Sequence, residues 1–334
     1  QVKKYNDDLN LDIKKIKVYL DIEIANLTNP KLKISSKDST LILDKYKIEL
    51  NLVETEIDIL SYFKDSFVIE KFWFSVKDNK INDLISIASL ERPSLIIYNI
   101  FIKKGYANIN GFLKFDKKGK IDNYLLKGKI KNAELKYNKK YHFKNINFDF
   151  TNQEETTEIN KAEFNYKKIK FLSKRISIVN NWNLDETITI EGNVINEKAL
   201  IELNKIKSLF EGDLNFINDQ EIKFETKNKF SFKINKREIN ELKYSSEINL
   251  ENITLNPKSN LFKNYFKNYK DFISLKNNSL KLNYENENIN IEGRSEYSFD
   301  TSYDKIKYKI NQEQSWYNFF TTINFDNNSI NIKP

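Results

Sequence analysis

The 334-residue chain has no cysteine, no methionine, one histidine, seven glycines and four prolines. Without cysteine there are no disulfides, no thiol nucleophiles and no cysteine–metal centres. One histidine cannot assemble a histidine-based zinc site. That residue, His142, sits between Tyr141 and Phe143 at a strand start, and no Gly-x-Ser-x-Gly elbow offers it a nucleophile, so it reads as a surface residue. The glycines lie too far apart for a P-loop or a dinucleotide fingerprint. With so little glycine and proline, turns must come from Asn, Asp, Lys and Ser, as in Asn277-Asn278-Ser279 and Asn327-Asn328-Ser329. No apolar run approaches the roughly 20 residues of a membrane-crossing helix; the most apolar, Leu95 to Ile102, ends in Lys103-Lys104. The missing methionine and the start at Gln1 read as an internal or processed fragment.

What is present is strand-forming. Phe (24) and Tyr (18) are abundant, and 40% of residues are hydrophobic against 31% charged. The net charge is +8, but its charges are interspersed rather than clustered, which reads as solvated strand faces and not as a nucleic-acid patch. Enrichment of Lys, Asn and Ile together reads as AT-rich coding. Acidic neighbours such as Glu154-Glu155, Asp185-Glu186, Asp219 with Glu221 and Glu285 with Glu287 fall in expected turns, and nothing isolates one pair for acid–base work. No catalytic residue, metal site or small-molecule cofactor is expected.

The clearest phrase runs from Tyr106 to Tyr137. Ala107, Ile109, Leu113 and Phe115 alternate with Asn108, Asn110, Lys114 and Asp116. This period of two gives one apolar face and one wet face. Asp116 to Lys120 supplies a turn, with Gly119 free to take positive φ. Tyr124, Leu126 and Ile130 then share a side, with Gly128 in register where a side chain would sit. Ala133, Leu135 and Tyr137 continue at the other parity.

Most of the chain repeats this design, giving on the order of 18–20 short strands. An N-terminal β region spans 1–76, with a short helix near 54–65. A helical hairpin spans 77–105: Asp78 or Asn79 caps its first helix, Pro93 opens a second over 94–104, and Gly105 ends it. The main β region, 106–334, is interrupted by amphipathic helices near 197–210 and 258–273. Trp73, Trp182 and Trp316 read as core anchors. The pattern apolar-x-Asn-apolar-x-apolar recurs at Asn132, Asn145 and Asn252, and each time the parity slips by one. Asn tolerates left-handed geometry, so a bulge there would keep the apolar side inward. The fold class is therefore mainly β, a long curved antiparallel sheet with few helices. A second sheet, a helical layer, or lipid chains in an open β-groove would each cover its apolar face, and periodicity does not choose among them.

The chain resembles the AsmA-like superfamily of bacterial cell-envelope proteins, which includes TamB and YhdP types. The resemblance rests on the helical phrase 82–105, on FDKKGKIDNYLLKGKIKNAELKY (115–137), KNINFDF (144–150) and KIKFLSKRISI (168–178), and on the similar style of 229–237 and 246–255. It implies a periplasmic β-groove conducting phospholipid acyl chains between inner- and outer-membrane components. It also implies an inner-membrane anchor in a segment absent from this chain. On that reading Ile109, Leu113, Phe115, Leu126, Ile130, Leu135, Phe148 and Phe150 line the groove, and the chain is not an enzyme. The alternative is a non-catalytic structural or adhesive β-rich module with a filled core.

Overall fold

The computed structural model describes residues 9–21, 31–59, 69–90, 93–181, 187–204, 217–235, 238–256, 269, 271–285, 287–299, 301–313 and 316–327. The fold is mainly β, as the alternation requires: 77% strand and 8% helix, with antiparallel, unclosed strand pairing. The chain divides into two units, residues 1–167 with 175–180, and 168–174 with 181–334. The region limits read from the sequence lie elsewhere, at 76 and 105.

The first unit is a meander. Strands β1 (Leu9–Asp12) and β2 (Lys15–Asp21) both pair with β3 (Lys31–Leu43). From there each strand pairs with the next: β4 (Tyr46–Asp58), β5 (Ile69–Lys80), β6 (Ile102–Phe115), β7 (Ile121–Lys136), β8 (His142–Gln153) and β9 (Thr156–Tyr166). The residues of β10 (Ile169–Asn181) are divided between the units. The second unit holds β11 (Thr187–Glu202), β12 (Glu221–Asn235), β13 (Glu238–Leu250), β14 (Ile253–Leu255), β15 (Ile273–Glu285), β16 (Asn288–Ser298), β17 (Asp304–Glu313) and β18 (Trp316–Ile323). Here β13 and β14 share the partner β15, and the remaining strands of β11–β18 pair in sequence.

The turn between β6 and β7 forms as its composition dictates. The Asp116 amide donates to the Lys120 carbonyl, and the Asp116 carboxylate accepts from the Lys118 and Lys120 amides at 2.8 and 2.9 Å. These bonds, the Lys120 one foremost, hold its carboxyl below the ordinary range. Gly119 takes φ +80°.

The helical expectations need correction. Residues 54–58 belong to β4, where Thr55 faces Phe72 and Ile57 faces Ile69; Ile59 is helical as expected, and 60–65 lie outside the described residues. Residues 197–202 belong to β11, where Ala199 faces Phe224 and Ile201 faces Ile222, whereas Leu203 and Asn204 are helical as expected and 205–210 lie outside the described residues. In both places a bulge nearby shifts the apolar parity, so that two strand phases joined in sequence imitate helical spacing. Residues 257–268 also lie outside the described residues, and Ile273 begins β15. The helical hairpin is shorter than expected. It comprises α1 (Ile81–Ala88), a 3-10 turn Pro93–Ile97 and one α-turn Tyr98–Phe101. Lys80, without a side-chain cap bond, precedes α1. Lys103, Lys104 and Gly105 lie in β6, not in a last helical turn.

The parity slips are bulges. Asn132 and Asn145 have φ of 50° and 52° inside β7 and β8. At Asn252 the ladder instead passes from β13 to β14. Of the 13 described non-glycine residues with positive φ, seven are Asp or Asn, the residues that stand in most cheaply for glycine there.

Candidate functional site: one apolar face of the first unit

Residues directly opposed in an antiparallel pair share a face. Following the register from β2 to β9 therefore sorts the whole first unit. Val18 faces Ile34, Leu41 faces Ile48, and Val53 and Thr55 face Phe74 and Phe72. Phe72 and Val76 face Leu113 and Ile109. Leu113, Gly111, Ile109 and Ala107 face Tyr124, Leu126, Gly128 and Ile130. Gly128, Ile130, Ala133 and Leu135 face Phe150, Phe148, Ile146 and Phe143. Phe150 faces Ile159.

Seven of the eight residues singled out in the sequence are thus brought to one face by direct pairing. Phe115 joins them by alternation from Leu113 and stands opposite Ile121. All eight are half-buried.

Three features shape this face. Rings lie over glycines: a Cβ at Gly111 would stand 2.0 Å from Phe74 Cε1, and one at Gly128 would stand 2.8 Å from Phe150 Cε1 and 2.4 Å from the Asn108 carbonyl. Small residues occupy its deepest points, with Ala107 1% exposed and Ala133 and Ala162 also buried. Finally, α1 seats on the end of β6, where a Cβ at Gly105 would stand 2.6 Å from Ile81 Cδ1. Asn82 fixes that hairpin by donating to the Ile102 carbonyl and to Asn99, while Asn99 donates to Ser86 at 2.9 Å.

Asparagines close the bulges. Asn108 Oδ1 accepts the Asp78 amide at 2.5 Å, and Asn147 Oδ1 accepts the Asn132 amide at 2.9 Å. Buried Asn79 accepts the Glu49 amide and donates to the Glu49 carbonyl, replacing the ladder bonds the bulge interrupts. Reading asparagine only as a trace of AT-rich coding misses this. The detectable signal is Asn at a strand position next to a parity slip.

The opposite face is charged. Glu56 pairs with Lys33 and Lys71, and Lys129 pairs with Asp149. Its apolar residues include Trp73 packed on Phe112, at 5.5 Å between ring centroids, with Leu125 opposite Phe112. Trp73 is thus an anchor of the polar side. Trp316 is 76% exposed and anchors no core, and Trp182 lies outside the described residues. His142, half-buried, meets Glu134 at 2.5 Å. That bond, with Lys104 beside it, holds the Glu134 carboxyl below its ordinary value.

In the second unit the corresponding face is mixed. Ile190, Phe232, Ile248, Leu280, Leu282 and Ile291 occupy it, but so do Asn196, Thr226, Asn228, Tyr244 and Ser246. Asn228 donates to the Val194 carbonyl and to Thr226, and accepts from Tyr244 and Ser246, both at 2.8 Å. Thr226 donates to Asn196. The sequence signal is plain in retrospect: Thr226 and Asn228 interrupt the in-facing series Ile222, Phe224, Phe230, Phe232, Ile234.

Among the described residues, no group of three His, Asp or Glu side chains is placed to hold a metal ion, and no helix is long and apolar enough to cross a membrane. No family model, curated protein or solved structure matches the chain. What the first unit's face offers chemically is a broad aliphatic and aromatic surface with many weak contacts.

Proposed function

We propose that this chain is a segment of a periplasmic, bridge-like protein of lipid transfer or envelope maintenance. The first unit's apolar face holds phospholipid acyl chains passing between inner and outer membrane, while headgroups stay in water. An inner-membrane anchor outside this chain and membrane components at either end complete the proposal, and no chemical step is involved. One observation carries it: an apolar face continuous across β2 to β9 whose large side chains stay half-exposed. A face covered by a second packed layer buries such side chains; among the described residues only 12 apolar side chains are buried, and three of these are alanines. An acyl chain laid there gains about 0.8 kcal/mol per buried CH₂ without demanding any one partner. The resemblance to AsmA-like proteins supports the same reading.

The test is mass spectrometry of lipid extracted with the purified protein. Phospholipid is expected with the native chain, and less with Ile109→Trp and Leu126→Asp variants that retain the native circular dichroism. Absence of lipid from the native chain, or equal lipid in folded variants, would overturn the proposal. The second reading, a structural or adhesive β-rich module, draws on the satisfied polar network around Asn228, a device that fixes a sheet's register and needs no ligand.

A further inference from the structure

We propose that the polar side of the second unit contains an anion site for a phosphate group, held by Arg294, Lys305 and Lys307. The three side chains line a cavity of about 770 Å³ together with Asn249, Ser279 and Glu296. The first observation is a directly opposed pair of cations. Beside it, on β13, β15, β16 and β17, cross-strand charges are opposite in sign: Lys281 faces Glu247 and Glu292, Glu292 faces Lys309, and Lys243 faces Glu285. Arg294 and Lys307 face each other directly, the one such cation–cation pair among the second unit's described strand pairings. Like charges directly opposed destabilise a sheet.

The second observation is that the acids nearby are already engaged. Glu251 pairs with Lys198 and Lys223, Glu296 with Lys276, and Glu225 accepts from Asn249. Arg294, Lys305 and Lys307 make no ion pair among the described residues, although Lys305 stands opposite Glu296, which is held by Lys276. Ser279 stands opposite Arg294 and adds a hydroxyl donor on the same side. A planar guanidinium, two ammonium groups and a hydroxyl around one hollow match the oxygens of a phosphate, which would also relieve the repulsion. The site lies wholly in the second unit and the acyl-chain face in the first, so it stands independently of the acyl-chain reading.

The test is calorimetric titration of the full chain with inorganic phosphate at constant ionic strength, beside flotation with vesicles of phosphatidic acid or phosphatidylcholine. Saturable phosphate binding is expected, weakened by about tenfold or more in Arg294→Gln/Lys307→Gln. Without phosphate, that variant should melt no lower than the native chain, because it loses only a repulsion. Flotation with phosphatidic acid alone, abolished by the same substitutions, identifies a lipid headgroup as the phosphate source; phosphate binding without flotation identifies a soluble one. No saturable binding in either arm, or binding unchanged in the variant, overturns the site.

Discussion

The two units solve one problem in different ways. Both are antiparallel meanders whose strands alternate between an apolar and a polar side. In the first unit the apolar side is interrupted by scattered polar residues, Ser39, Thr55, Asn79 and the bonded pair Asn152–Thr157 near its β8–β9 end, and its deepest points are alanines. In the second, Asn196, Thr226, Asn228, Tyr244 and Ser246 form a hydrogen-bonded patch on that side. The difference teaches that alternation alone leaves the use of a face open. A mostly apolar face has affinity for chains of CH₂ groups and little preference among them. A face crossed by a satisfied polar network has a single register, because slipping one residue would strand every donor in it.

The largest effect expected from breaking this contrast is at Asn228. Asn228→Ala leaves the Ser246 hydroxyl, 2% exposed, and the Tyr244 hydroxyl without their acceptor. A loss of about 2–3 kcal/mol is expected in chemical denaturation; a neutral result would mean the network does not fix the second unit. Next is Gly128→Ala in the first unit. The new methyl would meet a backbone carbonyl as well as the Phe150 ring, and the carbonyl cannot swing away. A cost of about 1–3 kcal/mol follows from overpacking. If Phe150→Leu restores most of it, the ring and not the carbonyl limits this face.

Two pH measurements probe the units separately. In the second, burial first, and then Asp304 and Asp326, push the Tyr297 hydroxyl up to about 12. The unfolded chain ionises this group near 10, so its contribution is complete below pH 10 and falls as pH rises towards 12. Native protein should lose stability over that window more steeply than Tyr297→Phe; identical slopes would remove Tyr297 from the explanation. In the first unit the Glu134 carboxyl is depressed below its ordinary 4.5 by His142 and Lys104. Its contribution is present above pH 4.5 and is lost as pH falls through the lower folded value. Glu134→Gln is expected to cost about 0.5–1 kcal/mol at neutral pH and to flatten the acid limb of the stability curve.

Much of the fold was legible in the residues. The β6–β7 hairpin, its Asp116–Lys120 turn and the shared side of Ile109, Leu126 and Phe148 all follow from period two and turn chemistry. So does the bulge at Asn132, because a parity slip at an Asn has few other outcomes. Residues 54–58 and 197–202 misled because a bulge joins two strand phases at spacings that also fit a helix. Only the partners across the ladder, Phe72 and Ile69 for one and Phe224 and Ile222 for the other, distinguish the two. The candidate site was legible as a list of in-facing residues but not as a continuous face, since each strand's alternation says nothing about its neighbour's register.

The sequence by itself determined that the chain is β-rich, which residues of each strand share a side, and which chemistries are absent. Those properties are local: they depend on period two, on turn residues and on composition. The tertiary structure decided that slips such as those at Asp78 and Asn132 are bulges that keep one face continuous, because the bulged amide found an acceptor on the next strand, Asn108 for Asp78 and Asn147 for Asn132. It also decided that Asn228 and its neighbours lie on the second unit's apolar side, fully bonded, and that Arg294 and Lys307 stand opposed. Such pairings join residues 13 to 34 positions apart in the chain, and only the register of one strand against another sets them.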